Sequence, residues 1–377
     1  MKNRKVQILD TTLREGEQTP GVSFKISQKI QIVKLLNQFG VDYIEVGHPI
    51  VSKDIHSFIK KVSKLELNSK IIAHSRLLKK DIDEVIELNL PWIGLFFDIS
   101  KGHLEKKYGL NEKKALEIIL DSITYAKKHK LKVRFTAEDA SRTNFEVLVK
   151  VAKLIEKAGA DRFSFADTVG ILYPAKVNGI FSRLSSELKI PIHGHFHNDF
   201  GLATANALQA IQSGATCVDV TVNGLGERCG ISSLAEVVSS LDELFNIKNS
   251  WNFKILHDIS SYVEKISNIT DNDIRPITGE NAFTHNAGLH VSSVIKDGSL
   301  YEPTDPKKFK RNRQYVIDKF SSKDALSYRL KKLNIYLSEK DLCELLLEIK
   351  SKPEIKKWSD EKLVSLYHQF YKTQISR

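Results

Sequence analysis

Short apolar runs alternate with longer stretches of helical periodicity along the first two thirds of the chain. Each run has the length and the β-branched and aromatic content of a strand, and the stretches between the runs place apolar residues three and four positions apart. One such stretch, SQKIQIVKLLNQFG, begins at Ser27, a residue type that caps helices, and ends at Gly40. Eight strands are predicted: VQILDTTL (6–13), DYIEVG (42–47), KIIAHSR (70–76), WIGLFFDIS (92–100), KVRFTAEDA (132–140), RFSFADTV (162–169), PIHGHFHN (191–198) and CVDVTVNGLGE (217–227).

Eight strand–helix units in a row predict an α/β fold of the (β/α)8, or TIM barrel, type. Polar residues stand at the carboxyl end of nearly every predicted strand, and in a barrel those ends converge on one mouth. An open doubly wound sheet is the alternative, but no GxGxxG motif follows the first strand. From about Trp251 onward no further strands are predicted, and helical segments follow. We therefore predict a catalytic barrel over 1–248 and an α-helical appendage over 249–377.

Composition narrows the class of protein. The 377 residues are 41% hydrophobic and 27% charged, which is typical of a globular chain. The formal net charge is +11, but the lysines are scattered, so we expect an anionic small substrate rather than nucleic acid. Three distant cysteines with no CxxC pair argue against a disulfide framework and indicate a reducing compartment. The N-terminal residues resemble neither a signal peptide nor a membrane span, so we expect a cytoplasmic protein without membrane contact.

The segment PIHGHFHNDFG carries histidines on alternate positions of the predicted seventh strand. Residues two apart in a strand face the same side, so His195 and His197 can meet Glu15, at the end of strand one, across the mouth of a closed barrel. Two imidazoles and a carboxylate bind divalent Mg, Mn, Co or Zn. The alternative is that these are ordinary polar residues at a strand end. His193 lies one step deeper, where it either supports the ligands or is a hydrogen-bonded core residue.

Cationic and hydroxyl side chains are predicted at the same mouth. Arg14 stands beside Glu15, where its guanidinium can stabilise an oxyanion, or else form an ion pair with Glu17 or Asp199. Further donors follow strands three, five and six: His74, Arg134, Thr136 and Thr168. Together they fit an anionic substrate with more than one carboxylate.

Six ordered motifs resemble a known family. ILDTTLREGEQTPG, FTAEDASRT, FADTVG, HFHNDFGLATANALQAIQSGA, NGLGERCG and GENAFTHNAGLH are similar to the motif series of the 2-isopropylmalate synthase, citramalate synthase and homocitrate synthase family, over about residues 6 to 330. The resemblance implies a Claisen-type condensation, in which the enolate of acetyl-CoA attacks the ketone of a 2-oxo acid and the resulting thioester is hydrolysed.

The resemblance also implies roles for individual residues. Glu15, His195 and His197 are expected to bind a divalent metal, with Arg14 as the oxyanion stabiliser. Expected substrate contacts are Gln18, His74, Arg134, Thr136 and Thr168. Expected catalytic residues besides Arg14 are Glu138, Glu227, His285 and His290, the histidines helping to move the proton of acetyl-CoA. The alternative for the last two is a pair of surface histidines on a loop. The appendage is expected to exchange between the subunits of a homodimer, with GENAFTHNAGLH over the partner's barrel mouth.

Substrate choice depends on the residues at strands three and five. Homocitrate synthases bind the distal carboxylate of 2-oxoglutarate with a pattern like that of His74, Arg134 and Thr136, and the turn GERCGIS also reads like that branch. GVSF and GLHVSSVIKDGSLYE look closer to isopropylmalate synthases. We therefore predict an acyltransferase of the homocitrate synthase type, serving amino-acid and specifically lysine biosynthesis. The alternatives are a 2-isopropylmalate or citramalate synthase, a lyase of the same superfamily, and a non-catalytic binding protein.

Overall fold

The structure is a computed structural model that describes residues 5–270 and 273–375. The chain forms two compact units, which divide after Thr270. Each unit is described by itself below.

The first unit is built around a closed barrel of eight parallel strands in chain order, in which β1 pairs with both β2 and β8. The strands are β1 (Gln7–Asp10), β2 (Tyr43–Glu45), β3 (Lys70–Ser75), β4 (Trp92–Asp98), β5 (Lys132–Glu138), β6 (Arg162–Asp167), β7 (Ile192–Phe196) and β8 (Cys217–Val220). Every one lies within its predicted bounds. The predicted TIM barrel is confirmed.

Helices follow the strands on the outside of the barrel. They are α1 (Ile26–Phe39), α2 (Lys53–Val62), α3 (Lys79–Glu87), α4 (Lys101–His103), α5 (Glu112–Lys128), α6 (Phe145–Lys157), α7 (Pro174–Glu187), α8 (Ala203–Gln212), α9 (Leu234–Glu243) and α10 (Leu256–Ser267). The first ends at Gly40, as predicted, in the left-handed conformation that glycine adopts without strain. It begins at Ile26, so the predicted cap Ser27 lies inside the first turn. The side chain of Gln28 accepts a hydrogen bond from the Lys25 amide instead.

The last helix of the first unit corrects the predicted division of the chain. We predicted the boundary at 248, but α10 belongs with the barrel unit. Leu256, Ile259 and Val263 on its inner face are buried. Ser260 exchanges two hydrogen bonds with Asn223 in the loop after β8, at 2.9 and 2.5 Å. The helix is therefore held by a buried apolar face and by a polar contact to the site loop.

The second unit is the predicted helical appendage with a small addition. Its helices are α11 (Gly288–Lys296), α12 (Lys323–Lys332), α13 (Glu339–Lys350) and α14 (Asp360–Ile375). They bury an apolar cluster that includes Leu326, Leu345 and Trp358. Two short parallel strands, β9 (Thr284–His285) and β10 (Gln314–Tyr315), pair in a ladder that the sequence did not predict.

The carboxyl group of Asp10, at the end of β1, allows the effect of burial in the barrel interior on stability to be tested. Asp10 is fully buried, and burial raises its pKa to about 7. The unfolded chain loses this proton near pH 4, so the folded state loses stability as the pH rises from about 4 to about 7. We expect the free energy of unfolding of Asp10→Asn to lack this loss, which is on the order of 4 kcal/mol for about three pKa units.

Urea unfolding of wild type and Asp10→Asn at about pH 4.5 and about pH 7.5 would measure this difference, because the two values bracket the titration. Asp121→Asn is the control, because Asp121 is exposed on α5. A constant difference in the free energy of unfolding between wild type and Asp10→Asn across this pH range would contradict the raised pKa of Asp10.

Candidate active site

A cavity of about 260 Å³ opens at the carboxyl ends of the barrel strands. Its lining residues are Arg14, Glu15, Gln18, His48, His74, Phe96, Arg134, Thr136, Glu138, Ala166, Thr168, His195, His197, Glu227 and Arg228. All eleven site residues that we predicted in the barrel are among them. The strand-end pattern of the sequence therefore brings these side chains to one cavity, although their roles stay predictions.

Glu15, His195 and His197 form one ligand group, since each offers a ligand atom and these atoms lie within 4.8 Å of one another. All three residues are buried. Burial alone would raise the pKa of Glu15, but Arg14 and the two imidazoles lower it to about 2. Burial and the neighbouring His195 lower the pKa of His197 to about 4. An ionised carboxylate and a neutral imidazole are the protonation states that a metal ligand needs, so the group fits a divalent cation.

Asp219 on β8 orients one of these ligands. Its Oδ2 lies 3.2 Å from Nδ1 of His195, which leaves Nε2 of that ring for a metal. Its other carboxylate oxygen lies 3.5 Å from Nδ1 of His193. The second nitrogen of His193 lies 2.9 Å from Arg162, and the ring is fully buried. His193 is thus a hydrogen-bonded core residue that packs beside the ligand group.

Glu45 on β2 contacts two guanidinium groups and an imidazole beside the cavity. It is fully buried and accepts hydrogen bonds from Arg14 Nε at 2.7 Å and Arg134 Nη1 at 2.9 Å. Nδ1 of His74 lies 3.3 Å from the same carboxylate. Burial alone would raise the pKa of Glu45, but Arg14 and the other cations hold it well below its usual range. The cations of this site are therefore held in place by a carboxylate that the sequence analysis missed.

Arg14 forms ion pairs with Glu15 and Glu45. The partners considered from the sequence are engaged elsewhere, since Glu17 contacts Lys29 at 2.9 Å and Asp199 contacts Arg228 at 2.7 Å. Arg14 thus links the ligand group to the charge network around Glu45, where its guanidinium can stabilise a developing negative charge in the cavity.

Arg134 lies between two carboxylates. Its Nη1 donates to Glu45, and its Nη2 donates to Asp219 and to the Ser164 hydroxyl. Arg134 is fully buried, and its Nε finds no hydrogen-bond partner among the described residues. The predicted substrate-binding arginine therefore has both terminal nitrogens committed within the protein.

The two threonines of the cavity differ in their hydrogen bonds. Thr168 Oγ1 accepts from the Asp139 amide at 2.8 Å, so one of its two acceptor positions is in use. Thr136 Oγ1 is buried without a hydrogen-bond partner within residues 5–270 and 273–375. Thr136 therefore has both its O–H and its acceptor positions available to a ligand, whereas Thr168 has one acceptor position in use.

Glu138, at the end of β5, has the electrostatics of a proton-transfer group. Burial raises its pKa, and the carboxylate of Asp98 raises it further. Lys107 lies between them, 3.0 Å from Asp98 and 3.7 Å from Glu138. A carboxyl group with a raised pKa that lines a cavity can take up and release a proton closer to neutral pH.

A second group of potential ligands lies beside Glu138. Asp98, His103 and Asp139 also bring their ligand atoms within 4.8 Å of one another. Lys107 pairs with Asp98 and Arg142 pairs with Asp139, at 3.0 and 2.7 Å. Since basic side chains already neutralise both carboxylates, we assign no metal to this group.

The glycine-rich loop after β8 supports Glu15. The Glu227 amide donates to Glu15 Oε1 at 3.0 Å. A Cβ on Gly226 would stand 3.2 Å from Cγ and Oε1 of Glu15, so only glycine lets the loop come this close. Glu227 lines the cavity on this loop, as does Gln18 on the loop after β1.

The contact between Gly226 and Glu15 gives a prediction about metal affinity. We expect Gly226→Ala to displace the Glu15 carboxylate and to weaken metal binding about tenfold, the size of effect seen for groups that position ligands. Gly109→Ala is the matched control, because Gly109 also has a positive φ but has no atom within 4 Å of an added Cβ. Metal titration of the two variants would show the difference, and equal affinities would contradict it.

The two predicted histidines of GENAFTHNAGLH lie in the second unit. His285 Nε2 lies 3.0 Å from Glu302, and the His290 ring stacks on Tyr301 with centroids 4.1 Å apart. The roles of these histidines stay predictions.

Among the described residues, no helix has the length and apolar content needed to cross a membrane.

Comparison with known proteins agrees with this fold. The model described as HMGL-like matches residues 5–263, and the one described as Homocitrate synthase post-HMGL domain-like matches 277–357. The chain is similar to a solved HMG-CoA lyase of Bacillus subtilis (23% identity, TM-score 0.63, 71% of this chain and 95% of that chain). It is also similar to the hydroxymethylglutaryl-CoA lyase of Pseudomonas aeruginosa (22% identity, TM-score 0.64, 72% and 96%). At these identities the solved structures show the fold alone, an HMGL-like barrel.

Curated relatives are more specific than the solved structures. The homocitrate synthase of Sulfurisphaera tokodaii is 48% identical over 367 residues, which are 96% of this chain and 80% of the relative. The homocitrate synthase of Saccharolobus solfataricus is 46% identical over 96% of this chain and 79% of its own length. The chain belongs to the homocitrate synthase family of acyltransferase-type condensing enzymes.

Proposed function

We propose that the protein condenses acetyl-CoA with 2-oxoglutarate and water to give homocitrate and CoA. The observation that carries this proposal is a single cavity with two chemically different sides. Glu15, His195 and His197 form a metal-ligand group at the carboxyl ends of β1 and β7, whereas the donors Arg134 and Thr136 come from β5. This arrangement suits an acceptor with a 2-oxo acid at one end and a carboxylate at the other.

The 2-oxo acid end belongs at the ligand group. A divalent metal held by Glu15, His195 and His197 would act as a Lewis acid on the ketone and hold the adjacent carboxylate. Arg14, paired with Glu15, donates toward the oxygen that gains negative charge when the new carbon–carbon bond forms. Gln18 and Thr168 contact the same end of the acceptor.

Proton removal from acetyl-CoA requires a base near the cavity. Glu138 has a raised pKa and lines the cavity, so it takes or relays this proton. His290 and His285 share the proton transfer from the appendage, together with Glu227. The C–C bond forms between the acetyl carbon and the ketone carbon, and water then cleaves the thioester to release CoA as a free thiol.

The subunit arrangement, cellular setting and pathway are part of the same proposal. The enzyme is a cytoplasmic homodimer whose appendages exchange between subunits, and it supplies a tricarboxylic acid for lysine biosynthesis. Size-exclusion chromatography with light scattering tests the dimer.

Direct product analysis tests the proposed reaction. Purified protein is stripped of metal and then incubated with acetyl-CoA and 2-oxoglutarate, with and without added Mg, Mn, Co or Zn. We expect homocitrate by mass spectrometry and one free thiol per product, both dependent on metal. Thiol release without homocitrate would contradict this proposal. In parallel assays, a condensation product from 2-oxoisovalerate or pyruvate but not from 2-oxoglutarate would replace it with the sibling synthase.

A further inference from the structure

We propose that His48 is a further specificity-determining residue, whose Nε2–H donates a hydrogen bond to the far carboxylate of the acceptor. No motif singled His48 out for this role. The inference rests on the proposed condensation with 2-oxoglutarate, and it adds a contact to that site.

The position of His48 in the barrel places it in the cavity. It follows β2 directly after Gly47, whose φ of +99° turns the chain at the strand end. The ring of His48 packs against His74 and Phe96, with centroid distances of 4.7 and 5.6 Å. His74 stacks on Phe96 at 4.4 Å with nearly parallel planes, so the three rings form one packed wall. Packing of this kind fixes the direction in which the His48 nitrogens face.

The side chains that were predicted to bind the far carboxylate are partly engaged within the protein. Both terminal nitrogens of Arg134 donate to Glu45, Asp219 and Ser164. Nδ1 of His74 faces Glu45 at 3.3 Å. These contacts engage part of the donor set at the base of the cavity, and Nε of Arg134 is left without a hydrogen-bond partner among the described residues.

Several buried polar atoms of the cavity lack hydrogen-bond partners among the described residues. They include Nε2 of His48, Oγ1 of Thr136 and Nε of Arg134. A buried polar group without a partner is costly, and a site that leaves such groups unpaired gains most from a ligand that satisfies them. Burial and the neighbouring His74 lower the pKa of His48 to about 3, so the ring is neutral and donates from one nitrogen only.

The arrangement of strands directs the far carboxylate toward this wall. The metal-ligand group comes from β1 and β7, while His48, His74, Phe96 and Thr136 follow or lie on β2 to β5. An acceptor held by its 2-oxo end at β7 and β1 therefore extends its other end toward the arc from β2 to β5. His48 and Thr136 meet it there, beside Arg134.

Variants of His48 test this contact through substrate discrimination. His48→Phe keeps a ring against Phe96 but removes the donor, whereas His48→Gln places an amide N–H near the Nε2 position. We expect the ratio of kcat/KM for 2-oxoglutarate over 2-oxoisovalerate to fall about 10- to 100-fold in His48→Phe, the effect of one lost hydrogen bond to a charged group. His48→Gln should restore most of the ratio, and His48→Asn, whose shorter amide does not reach, should not.

Binding of 2-oxoglutarate in the absence of acetyl-CoA, measured by calorimetry, should weaken in the same order. His56→Gln is the control, because His56 lies on α2, outside the cavity, and contacts Glu84. If wild type prefers 2-oxoglutarate and all His48 variants keep that ratio, the inference about His48 is wrong. If wild type itself does not use 2-oxoglutarate, the proposed function fails independently of His48. The Gln and Asn variants keep the test decisive if His48→Phe does not fold.

Discussion

His195→Ala is expected to lose the bound divalent metal and to lower kcat more than about a hundredfold, while the barrel stays folded. The reason is that His195 supplies one of three ligands, and two remaining ligands do not hold a metal against dialysis. Asp219 would then lose the imidazole that it orients at 3.2 Å. Metal content by mass spectrometry, thiol release from acetyl-CoA and circular dichroism measure the three parts of this result.

His129→Ala is the matched control for this experiment. His129 is exposed at the end of α5, so its removal should leave metal content and thiol release unchanged. Wild-type metal content and full activity in His195→Ala would contradict the ligand assignment, including the parallel assignments of Glu15 and His197.

Glu45→Ala is expected to lower the free energy of unfolding by about 3–5 kcal/mol, the cost of removing one partner from a buried ion pair. Glu45 is the shared acceptor for Arg14 and Arg134, and Arg134 is fully buried. Without the carboxylate, two guanidinium groups stand close together with less compensation, and the unpaired charge is the main penalty. Urea unfolding at neutral pH measures this decrease in the free energy of unfolding.

Two further variants separate the effect of the lost charge from the effect of a carboxylate substitution in general. Glu45→Gln keeps an acceptor oxygen but removes the charge, so it should fall between wild type and Glu45→Ala. Glu66→Ala removes an exposed carboxylate and should change stability by no more than about 0.5 kcal/mol. A Glu45→Ala protein as stable as wild type would show that the network is not held by this carboxylate.

The sequence predicted the barrel and its mouth because both depend on short-range patterns. Strand and helix periods give the eight units, and the carboxyl ends of parallel strands meet by geometry. That is why Glu15, His195 and His197 were expected in one place although Glu15 lies 180 residues from His195, as their numbering shows. The predicted barrel fold is confirmed, and the predicted ligands share one cavity.

The charge network was not predicted because its partners pair across the barrel. Arg134 contacts Glu45 and Asp219, which are 89 and 85 residues away in sequence. A signal was present, since Glu45 in DYIEVG and Asp219 in CVDVTV each stand between apolar residues of a predicted strand. An acidic residue facing a barrel interior needs a cationic partner, and Arg134 is also on a buried strand.

The domain boundary was misplaced for a different reason. The segment around α10 has the same helical period as the appendage, and periodicity does not say against which surface a helix packs. Its contact with Asn223 depends on a loop of irregular backbone, in which Asn223 has a positive φ. Such a contact follows from tertiary packing alone.

The most direct test of the central claim is a comparison of kcat/KM for four acceptors with saturating acetyl-CoA and metal. Thiol release is followed with 2-oxoglutarate, 2-oxoisovalerate, pyruvate and oxaloacetate. The account predicts the highest kcat/KM for 2-oxoglutarate, whose far carboxylate meets the donors between β2 and β5. A higher kcat/KM for 2-oxoisovalerate or pyruvate would contradict it, because the buried donors at that end of the cavity would then have no carboxylate to bind.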